Sequence, residues 1–264
     1  MSAHFAARAL SVREIAAPET RDPVLARFVR DLAAQEPHAP DARKTHTPDA
    51  QISSSARFSA VDIAAARDAW AGRIVDEHRS VVVFSELLRL LAEVGAPLEA
   101  LCAVQRLIGD EIRHASLCAE VCTWLGGADT LELDLSGLGL PPSDSPALER
   151  AYTIVMRELV VAERESVRVL AAYRDATSEP AIRAAFGILL TDEARHAATG
   201  DALARLLARL LGATRAPLDA ALAPQLEHDR AYLRATYLAG ATDGRGRALG
   251  ASLTRQDLAA TLLR

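Results

Sequence analysis

A six-residue string, Asp-Glu-x-Arg-His-Ala, occurs twice in this chain, at residues 110–115 and again at 192–197. Each copy places a glutamate three residues before a histidine, Glu111 before His114 and Glu193 before His196. That spacing is close to one helical turn, so on a helix both side chains project from one face and can reach one ion. A lone Glu-x-x-His is weak evidence, because glutamate and histidine are ordinary residues of solvated helices. Two copies that agree at five of six positions are strong evidence. They imply two helices whose motif-bearing faces meet, each helped by one further glutamate from another helix, which is the ligand arrangement of a two-metal carboxylate site inside a four-helix bundle.

The composition agrees with a helical core. Of 264 residues, 50% are hydrophobic and only 4% aromatic. Alanine, leucine and arginine dominate, which favours helix, and β-branched residues form no long alternating runs, so strands are not expected. The net charge is −5 and Lys44 is the only lysine, which leaves no basic patch for nucleic acid. No apolar run reaches the roughly 18 residues that a membrane crossing needs, and the N-terminus lacks the apolar core of a secretory signal. Cys102, Cys118 and Cys122 are odd in number and form no CxxC pair. They are expected as free thiols of a reducing, cytoplasmic compartment, not as a disulfide frame or a zinc or rubredoxin-type iron site.

Two regions differ in character. Residues 1–57 form an N-terminal arm, with a short helix expected at 22–35 and a linker rich in Pro, Ser and Asp after it. Residues 58–264 form the helical domain. Its first helix is expected from Ser59 to Val94, capped by Ser59 with Asp62 and closed by Gly95 and Pro97. The second runs from Leu98 to Leu125 and stops at Gly126 and Gly127. The third starts with Ser145 as cap and Pro146 in the first helical position and ends near Asp175. The fourth runs from near Ser178 to Gly212. A fifth is expected at 217–239, with a bend at Pro224, and a short last helix at 252–263. Short links make the first two and the next two helices antiparallel hairpins, while the stretch 126–144 is long enough to run the length of the bundle.

If the hairpins repeat, each first helix should supply one glutamate at a matching position. Glu77 and Glu163 share the pattern Glu-x-x-Ser-Val, and each lies nearly as far before its turn as Glu111 or Glu193 lies after it. Glu86 competes with Glu77, and Glu158 and Glu165 compete with Glu163. The shared pattern favours Glu77 and Glu163. The expected ligand set is therefore Glu77, Glu111, His114, Glu163, Glu193 and His196. Four carboxylates and two imidazoles suit iron or manganese, and four carboxylates facing one core would be very costly without cations. Asp110 and Asp192, four residues before each histidine, are placed to accept its other ring N–H, from their own histidine or across the repeat. Arg113 and Arg195 can pair with them.

On these residues the chain resembles the ferritin-like, carboxylate-bridged di-iron proteins, whose ligand order is E…ExxH…E…ExxH. The resemblance covers about residues 59–212. The Asp-Glu-x-Arg-His form is most similar to the hydroxylase subunits of bacterial multicomponent monooxygenases. The symmetry is similar to bacterioferritin and rubrerythrin, and the spacing to aldehyde-deformylating oxygenases. The chain departs from each: it is far shorter than the hydroxylases, carries Val167 where they tend to have a hydroxyl residue, and lacks the four-cysteine iron domain of rubrerythrin. The 57-residue arm and the long fifth helix have no counterpart in bacterioferritin, and no extra histidine ligand of the arylamine N-oxygenase kind is present.

The resemblance implies an all-α, ferritin-like four-helix bundle with one long crossover and extra terminal helices. It implies two iron ions as cofactor, manganese or a mixed pair being the alternatives. The activity expected is that of a non-haem oxidase or oxygenase using O2 on a small, apolar organic substrate, with Asp110 and Asp192 supporting the ligands. An electron-donor protein and a homodimer are compatible partners. The alternative is a ferroxidase, iron-storage or peroxide-scavenging protein. Trp70 and Tyr152 are expected to point inward. Cys118 and Gly200, each four residues after a ligand histidine, are expected to leave room for substrate, with Met156, Val160, Phe84, Leu107 and Leu189 as apolar walls.

Overall fold

The structure, a computed structural model, describes residues 8–10, 58–127, 131–133, 137–241 and 243–262. The expected helix at 22–35 and the linker after it lie outside these residues. The chain is helical. Helix α1 spans Ala60–Glu93 and α2 Leu98–Trp124. After the connection come α3, Ala147–Ile154, a π-helical segment, Val155–Ala162, and α4, Glu163–Ala176. Helix α5 covers Pro180–Leu211, α6 Arg215–Ala239 and α7 Arg255–Leu262.

Local chemistry explains the boundaries. Ser59 caps α1 by accepting the Asp62 amide at 3.1 Å, and the Asp62 carboxylate also accepts the Gly246 amide at 2.7 Å, tying the cap to the C-terminal segment. Gly95 and Gly126 follow α1 and α2 with φ of 67° and 77°, a left-handed turn that a residue with a Cβ adopts only at a cost. Two starts differ from expectation. Pro146, not Ser145, is the cap of α3, because its extended backbone already turns the chain and Ser143 takes the Ser145 amide. Helix α5 begins at Pro180, whose missing N–H costs nothing in the first turn.

The third rod is not the single α-helix expected. Eight residues ahead of Glu163, Val-Met-Arg-Glu-Leu-Val-Val-Ala, are wound as π-helix, which is rare and tends to mark functional positions. A three-residue strand, β1 (Arg8–Leu10), pairs antiparallel with β2 (Leu131–Leu133) in the long connection. No strand was expected there; the Leu-Glu-Leu alternation of β2 is the only local sign of it.

Helices α1 and α2 pack along their length, as do α4 and α5, so the chain forms two helical hairpins. Apart from a small cluster of Val169, Ala172, Ala176, Leu253 and Leu258, the apolar core lies in two tiers. One holds Trp70, Ile74, Cys118, Cys122, Phe186 and Leu189. The other holds Phe84, Leu87, Leu107, Leu159, Leu203 and Leu207. Along α1, α2 and α5 the repeated motifs and Glu77 fall between these tiers, so the polar side chains occupy a middle layer closed on both sides. Helix α6 has no buried residue. Polar contacts join it to the third rod, Arg157 to Asp229, Arg234 to Glu165 and Tyr152 to Asp219, and its Leu218 and Leu222 pack, partly buried, against the core. It continues through Pro224 without ending there.

Candidate metal centre

Five of the six expected ligands come from α1, α2 and α5, and the sixth, Glu163, is the first residue of α4 after the π segment. Glu111, His114, Glu163, Glu193 and His196 are buried, both histidines completely, and the Glu77 side chain is 15% exposed. The side chains converge. His114 Nδ1 lies 3.5 Å from Glu77 Oε2, 3.6 Å from Glu111 Oε2 and 3.4 Å from Glu193 Oε1. His196 Nδ1 lies 3.1 Å from Glu111 Oε1 and 3.1 Å from Glu193 Oε2.

Two groups emerge that could each hold a metal ion: Glu77, Glu111, His114 and Glu193, and Glu111, Glu163, Glu193 and His196, with the ligand atoms of each within 4.8 Å of one another. Glu111 and Glu193 belong to both. Glu77 and Glu163 each belong to one group alone.

The rejected alternatives have other partners. Glu86 accepts from Arg150 at 2.5 Å, Glu158 from Arg79 at 3.2 Å, and Glu165 from Arg234 at 2.9 and 2.8 Å. Each is neutralised by a guanidinium, whereas no arginine reaches the four glutamates of the cluster among the contacts of the described residues.

The aspartates cross over. His114 Nε2 lies 3.1 Å from Asp192 Oδ2, and His196 Nε2 lies 3.2 Å from Asp110 Oδ2. Each imidazole therefore meets the aspartate of the other motif, which settles the choice left open by the sequence. Arg113 Nη2 donates to Asp192 at 2.6 Å and pairs with Asp110 at 2.8 Å. Arg195 Nη2 reaches Asp110 at 3.3 Å and also bonds Asp192. Two aspartates and two arginines form a closed square that fixes both rings with Nδ1 turned toward the glutamates. Such outer carboxylates orient metal-bound histidines and raise their basicity.

The electrostatics follow from packing six titratable side chains together. Burial pushes the Glu77 carboxyl up to about 8 and Glu163 well above the usual range. Burial acts on Glu111 and Glu193 too, but the close approach of both imidazoles to Glu111, and of Glu163 and the imidazoles to Glu193, outweighs it, so both are lowered. Burial alone would depress the histidines; the bonds to Asp192 and Asp110 and the glutamates facing each ring raise His114 well above its ordinary value and His196 to about 11. Burial thus favours the neutral form of Glu77 and Glu163, while the groups facing them favour ionised Glu111 and Glu193 and protonated imidazoles.

One observation tests the fit to a metal directly. Glu111 Oε1 and His114 Nδ1 are buried and make no hydrogen bond. The 3.1 Å approach of His196 Nδ1 to Glu111 Oε1 is out of alignment for one. Buried polar atoms are almost always satisfied, and both orphans here belong to the converging set. The donors are hard to borderline oxygens and nitrogens, which suits iron or manganese.

Of the two small residues expected to leave room for substrate, Gly200 is filled by Leu159. Cys118 is completely buried in the apolar tier with Trp70. A Cβ on Gly200 would lie 2.6 Å from Leu159 Cβ and 3.1 Å from the Leu159 carbonyl carbon, so this glycine is used for close approach of α5 to the π segment. Phe84, Leu107 and Leu189 are core residues. Met156 and Val160 do line a cavity, an open groove of about 390 Å³ further along α5, with Tyr152, Asp201, Ala204, Arg205, Ala208, Arg209 and Arg215. The arginines of that groove went unnoticed in the sequence, although Arg205 and Arg209 share a helix face one turn apart. Trp70 and Tyr152 are buried as expected, and Cys102, Cys118 and Cys122 are free thiols. No helix among the described residues is long and apolar enough to cross a membrane.

No protein-family profile, curated protein or solved structure matches this chain, so what it binds has to be argued from its own residues.

Proposed function

We propose that the two hairpins form a ferritin-like four-helix bundle, with the connection between α2 and α3 as its long crossover, and that the chain is a non-haem di-iron oxidase or oxygenase. Glu77 and His114 would hold one ion, Glu163 and His196 the other, with Glu111 and Glu193 bridging. The observation that carries this reading is the sharing of Glu111 and Glu193 by two buried ligand groups. When bound, the pair of ions supplies the electrons and the open positions that O2 chemistry needs.

The chain's own residues have defined tasks. Asp192 and Asp110 accept the Nε2–H of His114 and His196 and keep each Nδ1 free for an ion. Burial works against the charge on these aspartates, but bonds to the imidazoles and to the arginines hold Asp110 low and bring Asp192 down to about 2, so both remain charged acceptors. The apolar tiers on either side keep bulk water from the ligands, which strengthens every charge interaction inside and protects a reactive oxidant from side reactions.

Oxygen uptake separates this reading from the ferroxidase, storage or peroxide-scavenging alternative. Protein loaded anaerobically with ferrous iron and given excess Fe(II) should consume O2 only until the bound pair is oxidised. Uptake should then resume when an electron donor and an oxidisable organic substrate are supplied. Sustained uptake with Fe(II) alone, leaving a soluble mineral, would establish storage. Rapid oxidation of the bound iron by peroxide in preference to O2 would establish scavenging.

A further inference from the structure

The groove beyond Gly200 has a chemistry of its own. Its floor is apolar, made by Met156 and Val160 of the third rod and by Ala204 and Ala208 of α5. Its rim is cationic: Arg205 and Arg209 stand one turn apart on α5, and Arg215 begins α6. The acids nearby are already engaged. Asp201 accepts both carboxylate bonds from Arg164, and Asp219 takes Arg215 and the Tyr152 hydroxyl. Arg205 and Arg209 are exposed and have no acidic partner among the described residues. An apolar trough of about 390 Å³, within the roughly 300–1,000 Å³ range of small-molecule sites, thus ends at two unpaired guanidinium groups.

We infer that this groove binds a small organic carboxylate with an apolar body, its head on Arg205 and Arg209 and its tail along Met156, Val160, Ala204 and Ala208. A guanidinium fork matches a carboxylate in shape and charge, and the alanines leave room that larger side chains would fill. A free inorganic anion would leave the apolar floor without a partner, and a neutral lipid would leave the arginines without one. The inference does not depend on the metal assignment. Val160 lies within one turn of Glu163 on the same rod, so an occupied groove would also adjoin the third rod's ligand.

The test is calorimetric titration of the full chain, with and without metal, using decanoate and decanol at submicellar concentration. Decanoate should bind once per chain in both forms, and decanol at least tenfold more weakly. The exposed double variant Arg205→Gln/Arg209→Gln should keep its fold and weaken decanoate about tenfold or more while leaving decanol unchanged. Ala204→Phe, at a partly buried position, should weaken both. Absence of saturable decanoate binding, equal affinity for decanol, or undiminished affinity in the double variant would overturn the inference. None of these results bears on metal stoichiometry, so the two readings fail separately.

Discussion

Helix α5 carries two glycines in opposite circumstances, and substituting each by alanine tests how the π segment is held. At Gly187 a Cβ would meet nothing within 4 Å. Gly187→Ala should therefore gain the intrinsic helix preference of alanine, about 1 kcal/mol. At Gly200 the new methyl would sit 2.6 Å from Leu159 Cβ and 3.1 Å from its carbonyl carbon, well inside the ~3.5–4.0 Å optimum for carbon pairs. The obstruction is backbone and the root of a side chain, so the two rods must separate. Overpacking of this kind costs about 1–3 kcal/mol. The helix gain is common to both variants, so the difference between them isolates the clash at about 1–3 kcal/mol. At roughly 2–4 °C per kcal/mol for a chain of this size, the midpoints should differ by about 2–12 °C in thermal melts of metal-free protein, with Gly200→Ala the lower. Moving Leu159 also moves the segment that sets Glu163, so this variant should lose affinity for one ion of the pair more than for the other. Equal melting points, or a more stable Gly200→Ala, would refute the close approach that the argument rests on.

Other outcomes follow from the same geometry. Because the aspartates cross, His114→Ala/Asp192→Asn should bind metal no worse than His114→Ala alone, whereas His114→Ala/Asp110→Asn should lose about a further tenfold or more; the reverse pattern in metal titrations would place each aspartate with its own histidine. Loading metal at neutral pH should release protons, because Glu77, Glu163, His114 and His196 all hold theirs more tightly than usual, read with an indicator dye in weak buffer; no release would contradict their raised proton affinity. These four groups have folded values above their unfolded ones, so the stability they give the metal-free protein is full at low pH. It is lost as pH rises, through about 8 for Glu77 and about 11 for His196. Denaturant midpoints of the metal-free protein should fall from pH 6 to 9, and those of the metal-loaded protein should change less.

The sequence was legible where local chemistry or repetition determines the outcome. Ser59, Gly95, Gly126 and Gly212 end or begin helices through caps and left-handed turns that depend on a few neighbouring residues. The six converging side chains could be read because a duplicated motif repeats its geometry, and Glu77 and Glu163 could be chosen over Glu86, Glu158 and Glu165 because they share a pattern. What was not legible depends on distances between helices. Nothing in Val155–Ala162 marks it as π-helix, and its Leu159 packs against Gly200 of a different helix, a contact that local sequence does not reveal. The same contact fills the space that Gly200 had suggested beside its histidine. The fate of the rejected glutamates depended on which arginine lay opposite each, which spacing along one helix does not reveal. The pairing of β1 with β2 joins segments more than a hundred residues apart and left only a three-residue alternation as a trace.

The most direct test of the central claim is anomalous diffraction from crystals of the chain grown or soaked with ferrous iron or manganese. Two peaks should appear between the apolar tiers, about 3–4 Å apart as in other two-metal sites, one beside His114 Nδ1 and one beside His196 Nδ1, with Glu111 and Glu193 touching both. A single peak, peaks elsewhere on the molecule, or none at saturating metal would contradict the account.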